Sequence, residues 1–317
     1  MLSRTKHIVL FLLLSTTLTA AYGQSSNHSI YEHLIAPKSQ MEHIDTLCSG
    51  SMKGRAMGTE GNALARDYII DKFMEYGVRK RGILYEQDFI CKGKKGVNII
   101  GEIESAEAGG DYIIICAHYD HLGEIDSRIY PGADDNASGV AAMLELAKVF
   151  GKMKNAGMGV KSNLIFIAFD GKEAGLAGSR HFAGRLKIHP KRIKCVLNID
   201  QIGTASSPPH GNREYILVMG IDAVQKWMKE RLELCNSLSD LNLDIDYTYY
   251  GSKKFYDIFY RMSDHYPFTS LAIPSLLFTC GIDSNTYKVT DTPDKIDYNV
   301  LTKRIRLIYR FIFSIAN

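Results

Sequence analysis

His118 and Asp120 stand at and just past the end of an apolar run, in "YIIICAHYDHLG". Two residues apart on an extended segment, they point the same way. The carboxylate can then take the proton on one ring nitrogen and leave the other free for a metal, the usual arrangement of metal-binding histidines. A second stretch, "PGADDNASG" from Pro131 to Gly139, opens a helix-like segment. Gly132 permits an unusual turn there, and Asp135 or Asn136 can cap the helix. A third stretch, "FDGKEAGLAGS", sets Lys172 immediately before Glu173, and a fourth, "LNID", ends on Asp200. Taken singly, His118 reads as a hydrogen-bonded loop histidine and Asp134–Asp135 as a helix cap. Together, one imidazole and three carboxylates have the donor chemistry of a metal centre.

Those residues need a scaffold, and the chain supplies one. "VNIIGEIE" (Val97–Glu104), "YIIICA" (Tyr112–Ala117), "NLIFIAF" (Asn163–Phe169), "CVLNID" (Cys195–Asp200), "YILVMG" (Tyr215–Gly220) and "SLLFTC" (Ser275–Cys280) read as strands. Between them, "SGVAAMLELAKVF" (Ser138–Phe150), "SRHFAGRL", "AVQKWMKERLELC" and the closing "YNVLTKRIRLIYRFIFSI" read as helices. Continuous apolar strands alternating with helices predict an α/β protein whose sheet is buried on both faces. Ligands of such sheets bind beyond the carboxyl ends of the strands. His118, Asp135, Glu173 and Asp200 all follow strand ends, so they converge on one edge.

Composition sets the outer limits. The 317 residues are 45% hydrophobic and 23% charged, enough for a substantial core. Arg4 and Lys6 precede the apolar run Ile8–Leu14 and the small-residue stretch "TLTAAYG". That is a secretory leader too short to span a membrane, with cleavage expected after Gly23 and export to the periplasm or exterior. Loss of Arg4 and Lys6 takes the formal charge from +3 to +1, which argues for no nucleic-acid partner. A polar lead from Ser25 to about Gln40 is expected to be helical, and residues 24–317 read as one domain. Cys116 and Cys280 end strand-like runs and read as buried thiols, while a disulfide among the other cysteines stays open. Asn27-His28-Ser29 and Asn136-Ala137-Ser138 match the glycosylation pattern but carry little weight.

"AHYDHLG", "PGADDNASGVAAMLELA", "FDGKEAGLAGS", "LNID" and "TDTPDKID" resemble metallopeptidase family twenty-eight, the secreted co-catalytic zinc aminopeptidases. "GRAMGTEGNALARDYI" (Gly54–Ile69) and "SDHYPF" (Ser263–Phe268) fit the same family, so the likeness covers nearly all of the chain after the leader. It implies a three-layer α/β/α sandwich around a mixed, mostly parallel sheet, with two zinc ions sharing one aspartate. Carried over by position, His118 and Asp200 hold one ion, Asp135 bridges, and Glu173 holds the second. Asp120 orients His118, and "SDHYPF" lines the pocket with Asp264 and His265. His121 reads as a loop residue beside the site.

Two positions depart from the family. Its motif places a glutamate, the general base, directly before the metal-binding glutamate, where this chain has Lys172. The second ion also needs a histidine four residues before Asp291, where this chain has Tyr287. Charge makes the two changes coherent. Asp135, Glu173 and Asp200 carry three negative charges and Lys172 one positive, so a single Zn²⁺ brings the site to zero. Uncompensated buried charge costs several kcal/mol. The expectation is that the Lys172 ammonium sits among Asp135 and Glu173 and stands in for the second ion, leaving one zinc on His118, Asp135 and Asp200. Lys172 is then a poor base, because its carboxylate neighbours hold its proton. Glu173 is a second acceptor, and Tyr287 as a phenolate would restore a second ion.

Three readings follow. One is an exported zinc aminopeptidase acting on peptides with an impaired, one-metal site. A second, from another class, is a pseudopeptidase that binds a peptide or protein partner. The third, a glutaminyl cyclase on the same fold, is weakest, because its zinc would use Asp135, Glu173 and the missing histidine.

Overall fold

The computed structural model describes residues 30–238 and 241–317. The leader with its Gly23 cleavage point and the sequon at Asn27 lie outside the described residues. In the lead, residues 30–32 are helical, and α1 (Pro37–Leu47) starts where Pro37 presets the first helical dihedral. This helix therefore runs well past Gln40. Next, α2 (Glu60–Glu75) is capped by Thr59, whose hydroxyl accepts from Asn62 N–H. Three strands follow, β1 (Arg79–Lys80), β2 (Glu86–Cys91) and β3 (Lys94–Ile103), then β4 (Tyr112–His118). A small hairpin, β5 (Gly123–Ile125) and β6 (Arg128–Tyr130), precedes α3 (Gly139–Asn155), β7 (Asn163–Phe169), α4 (Ala177–Ala183) and β8 (Ile193–Ile199). The chain continues through β9 (Tyr215–Met219), α5 (Lys226–Ser237), β10 (Asp244–Asp246), α6 (Lys253–Phe259), α7 (Tyr266–Thr269) and β11 (Ser275–Thr279), and ends in α8 (Tyr298–Ala316).

Among the described residues, nine strands form one sheet in the order β1-β3-β7-β4-β8-β11-β9-β10, with β2 on β3. The central run β7-β4-β8-β11 is parallel, whereas β3 joins β7, and β9 joins β11, antiparallel. The expected mixed sheet between helices is present, but parallel pairing is confined to its centre and to β9–β10. Helices cover both faces. On β4, Ile113, Ile115 and Ala117 join the core built with α1, α2, α3 and α8, while Ile114 and Cys116 face Phe182 of α4 and Phe268 of α7. This period-two split is what a strand buried on both faces requires. Each fully buried Ile or Phe contributes about 1.5–3 kcal/mol. Cys116 and Cys280 are buried, and the six cysteines are free thiols. No described helix is long and apolar enough to cross a membrane.

Candidate metal centre and active site

Sheet register brings the site together. In the parallel β4–β8 pair Cys116 lies opposite Asn198, so His118 and Asp200 emerge side by side two residues later. His118 Nε2 is 3.2 Å from Asp200 Oδ1 and 3.3 Å from Asp135 Oδ1. On the other flank of β4, His118 lies opposite Phe169 of β7, and the loop after β7 carries Lys172 and Glu173.

Asp135 sits in an irregular turn, residues 133–138, where its peptide bond to Asn136 is cis. Asp291 holds this turn: its carboxylate accepts the Asp134 and Asp135 N–H groups at 2.8 and 3.1 Å, and its carbonyl accepts from Ala133 N–H. The reading of the motifs gave Asp291 no such role, although "TDTPDKID" contains it. Asn136 donates to Ile199 O at 2.9 Å and accepts from Gln201 N–H at 2.9 Å, tying the turn to the end of β8. Fully buried and bonded in this way, Asn136 is no acceptor for a glycan. Gly132 has φ 63°, and a Cβ there would strike Asp135 O and the His121 ring.

Arg55 braces the loops from behind. Completely buried, it donates to Tyr119 O (2.9 Å), Leu47 O (2.6 Å), Pro131 O (2.7 Å) and Gly132 O (3.0 Å). Arg55→Ala leaves four carbonyls without a charged donor, each a loss of about 1–3 kcal/mol. Thermal unfolding of this variant is expected roughly 10 °C below the parent, and a fall under about 3 °C would refute the bracing role.

Asp120 orients His118, but not through its carboxylate. His118 Nδ1 lies 3.0 Å from the Asp120 carbonyl oxygen and 3.8 Å from its carboxylate. The chain turns after His118, so the carboxylate points instead at the Lys172 and Glu173 N–H groups, which donate at 3.0 and 3.2 Å. Burial and the nearby Asp170 push the Asp120 carboxyl up to about 7.

Lys172 lies inside the cluster, its residue only 8% exposed. Its ammonium is 2.8 Å from Glu173 Oε1, 3.5 Å from Asp135 Oδ1 and 3.4 Å from the Tyr287 hydroxyl, with that ring's centroid at 5.5 Å. Burial opposes the charge, yet Asp135, Asp200 and Glu173 raise its pKa well above the ordinary value. This lysine is a cation with no lone pair to offer. Burial pushes Asp135 toward protonation, but Lys172 and His118 override it and hold the group ionised. His118 is likewise raised against burial and Lys172 by Asp200 and Asp135. The same field that stabilises an imidazolium there would attract a metal cation. Burial raises Glu173, and burial raises the Tyr287 phenol despite Lys172, so an ionised Tyr287 is disfavoured.

Asp264 and His265 do not line the pocket. Both are fully buried, and neither is among the residues that line it, whereas the adjacent Ser263 is. Ser263 lines the pocket and donates its hydroxyl to Asp200 Oδ2 while accepting from Asn198 Nδ2 at 2.6 Å. Apolar Tyr249, Phe259, Met262, Leu277 and Ile282 form much of the remaining lining beside Lys172, Asp200 and Tyr287. His121, in the loop after β4 beside the cluster, is only 1% exposed, and burial drops its pKa to about 3.

The residues present fit a metal. His118, Asp135 and Asp200, all buried, bring one donor atom each into a single group, and buried His121 and Asp135 do so with half-buried Glu173. Tetrahedral zinc with bonds of ~2.0–2.1 Å needs donors ~3.3 Å apart, close to the 3.2 and 3.3 Å around His118 Nε2. The sequence profile of Peptidase family M28 matches residues 98–312, more than half of the chain. The chain belongs to this family. Aminopeptidase YwaD of Bacillus subtilis is 30% identical over 181 residues, 56% of this chain and 34% of that protein. The matched stretches cover between 25% and 57% of six curated relatives, among them proteins of Pyrenophora and Leptosphaeria named as probable zinc metalloproteases. The aminopeptidase LapA of Legionella pneumophila superposes with TM-score 0.72 at 20% identity, over 92% of this chain and 75% of its own. A Porphyromonas gingivalis glutaminyl cyclase superposes at TM-score 0.68 and 17% identity, over 87% and 97%. At these identities the likeness shows the fold.

Proposed function

We propose that this M28-family chain is an exported zinc-dependent aminopeptidase that trims free N-termini slowly, holding one ion tightly on His118, Asp135 and Asp200. The observation that carries this reading is the donor spacing around His118 Nε2, 3.2 and 3.3 Å, in a fully buried pocket edge. Zinc, when bound, acidifies a water and polarises a carbonyl. The protein supplies the rest. Ser263 fixes the second oxygen of Asp200, Asp291 fixes the backbone of Asp135, and the Asp120 carbonyl fixes the His118 ring. Asp120 also anchors the Lys172–Glu173 backbone at the rim of the cluster. Lys172 keeps its proton, so the proton acceptor of this reading is Glu173, whose carboxyl is raised by burial and partly open to solvent. Loss of a dedicated base costs ~10²–10⁴ in rate, hence slow turnover. The apolar pocket lining suits an uncharged side chain of a peptide.

One observation favours a second reading. An ammonium paired at 2.8 Å with Glu173 also describes a silenced site, a pseudopeptidase that binds a peptide or protein partner. A glutaminyl cyclase is disfavoured because Tyr287 stands where its zinc set needs a histidine. Zinc per chain, by elemental mass spectrometry on the mature chain dialysed against trace zinc, separates these readings when followed by aminoacyl anilide hydrolysis. About one zinc with slow, chelator-sensitive hydrolysis is the expected result. One zinc without hydrolysis leaves the pseudopeptidase, and no zinc refutes the enzyme.

A further inference from the structure

Helix α6 turns apolar side chains outward. Phe255 and Ile258 on it, and Met262 just beyond its end, are 53%, 44% and 48% exposed. Spaced three and four residues apart, they form one stripe. Two turn bonds, from Arg261 N–H to Ile258 O and from Met262 N–H to Phe259 O, carry the helical path to Met262. The opposite face already has its partners. Tyr256, Phe259 and Tyr260 pack on the cluster of Tyr215, Leu217, Met219 and Leu277, and the Tyr256 hydroxyl accepts from Gly220 N–H at 2.7 Å. The outward stripe is therefore not needed to seat the helix, and contiguous exposed apolar residues of this kind mark a contact surface.

Charge and position say what fits it. Lys254 and Arg261, seven residues apart and so on one line of the helix, share a hollow with Ile258. Both are exposed, and neither pairs with a carboxylate among the described residues, whereas Lys253 lies 3.7 Å from Asp257. The stripe also begins at the site. Met262, Ile282 and Tyr287 line the pocket beside Asp200 and Lys172 and are themselves exposed, so they form its rim. From Met262 back to Phe255 is roughly 10 Å along the helix, the length of about three extended residues. We infer that this face holds the part of a peptide that stays outside the pocket, roughly residues two to four, and selects acidic residues there through Lys254 and Arg261. The inference rests on the reading of the pocket as one that takes a peptide, and it holds whether or not that peptide is cut. A lipid surface fits less well, because a bilayer seated on Met262 would cover the mouth of the pocket.

Fluorescence anisotropy of two C-terminally labelled peptides on the mature chain tests this, Leu-Asp-Phe-Glu-Ala against Leu-Lys-Phe-Lys-Ala, each with its first peptide bond N-methylated against cleavage. The acidic peptide is expected to bind about three- to tenfold tighter, the worth of two exposed charge contacts, and the gap should narrow as salt rises. Lys254→Glu with Arg261→Glu should invert the preference, and Lys254→Gln with Arg261→Gln should abolish it. Should the Glu pair unfold, by circular dichroism, the Gln pair decides alone. Phe255→Ser with Ile258→Ser should weaken both peptides about tenfold, the worth of roughly 50 Å² of covered apolar surface. Equal affinity for the two native-chain complexes overturns the inference and spares the pocket reading, as does a preference that survives the charge variants. Binding of neither peptide overturns the peptide reading itself. Binding of the native chain to phosphatidylglycerol vesicles, lost in the charge variants and without any peptide preference, would make the face a membrane contact and overturn the inference too.

Discussion

Lys172→Glu combined with Tyr287→His is expected to raise anilide hydrolysis roughly 10²–10⁴-fold, the usual worth of a general base. The backbone for that base is already in place, since Lys172 N–H is anchored to Asp120 Oδ1 at 3.0 Å. What the position lacks is a lone pair, its ammonium being held as a cation by Asp135, Asp200 and Glu173. A glutamate there adds a fourth carboxylate to a buried group and therefore needs a second divalent ion to offset it. The histidine at 287, entering from the loop that now touches Lys172, provides a ligand for it. Rate and zinc content should rise together, to two ions held through trace-zinc dialysis. A double variant that gains zinc but no rate would show that other losses silence the site. One that gains neither would refute the argument that Lys172 substitutes for an ion.

Asp135→Asn should lower zinc affinity by more than the ~10–100-fold that loss of a supporting contact costs, because both ligand groups share this side chain. The native carboxylate faces His118 at 3.3 Å, Lys172 at 3.5 Å and His121 at 3.9 Å. Neutralising it leaves the Lys172 ammonium under-compensated, a loss of about 3–5 kcal/mol for a broken buried pair. Asp134→Asn is the control. That carboxylate accepts from Gly203 N–H at 2.6 Å and Thr204 Oγ1 at 3.2 Å, away from the cluster. It should lower the melting temperature without changing zinc per chain. Retention of one zinc by Asp135→Asn under the same dialysis would mean that the ion sits elsewhere.

Much of this molecule is legible along the chain. The central strands are uninterrupted apolar runs, because a sheet covered on both faces leaves no polar alternation, and each run ends within a residue or two of β4, β7, β8 and β11. The residues just past those ends, His118, Glu173 and Asp200, follow from that pattern, whereas Lys172 and Tyr287 stand out only against the family motif from which they depart. Helix ends were less legible. Leu176 in the left-handed region starts α4 at Ala177, two residues before the expected Ser179, and Gly184 stops it before Leu186.

The sequence by itself determined which residues stand at the strand ends, because hydrophobic pattern is a local property, and likeness to the family motif marked Lys172 as a cation where a glutamate is expected. Only the tertiary structure decided where those side chains point. Whether Asp120 meets His118 by carbonyl or carboxylate depends on a loop anchored 52 residues away at Lys172. That Ser263 rather than Asp264 or His265 lines the pocket is likewise a property of the fold, not of the local motif. The bracing by Arg55, which reaches Gly132 across 77 residues, has no local signature either. Nor does the burial of His121 beside Asp135. Such contacts arise from strand order and loop crossing, and these are settled by the packing of the whole sheet rather than by any stretch of chain.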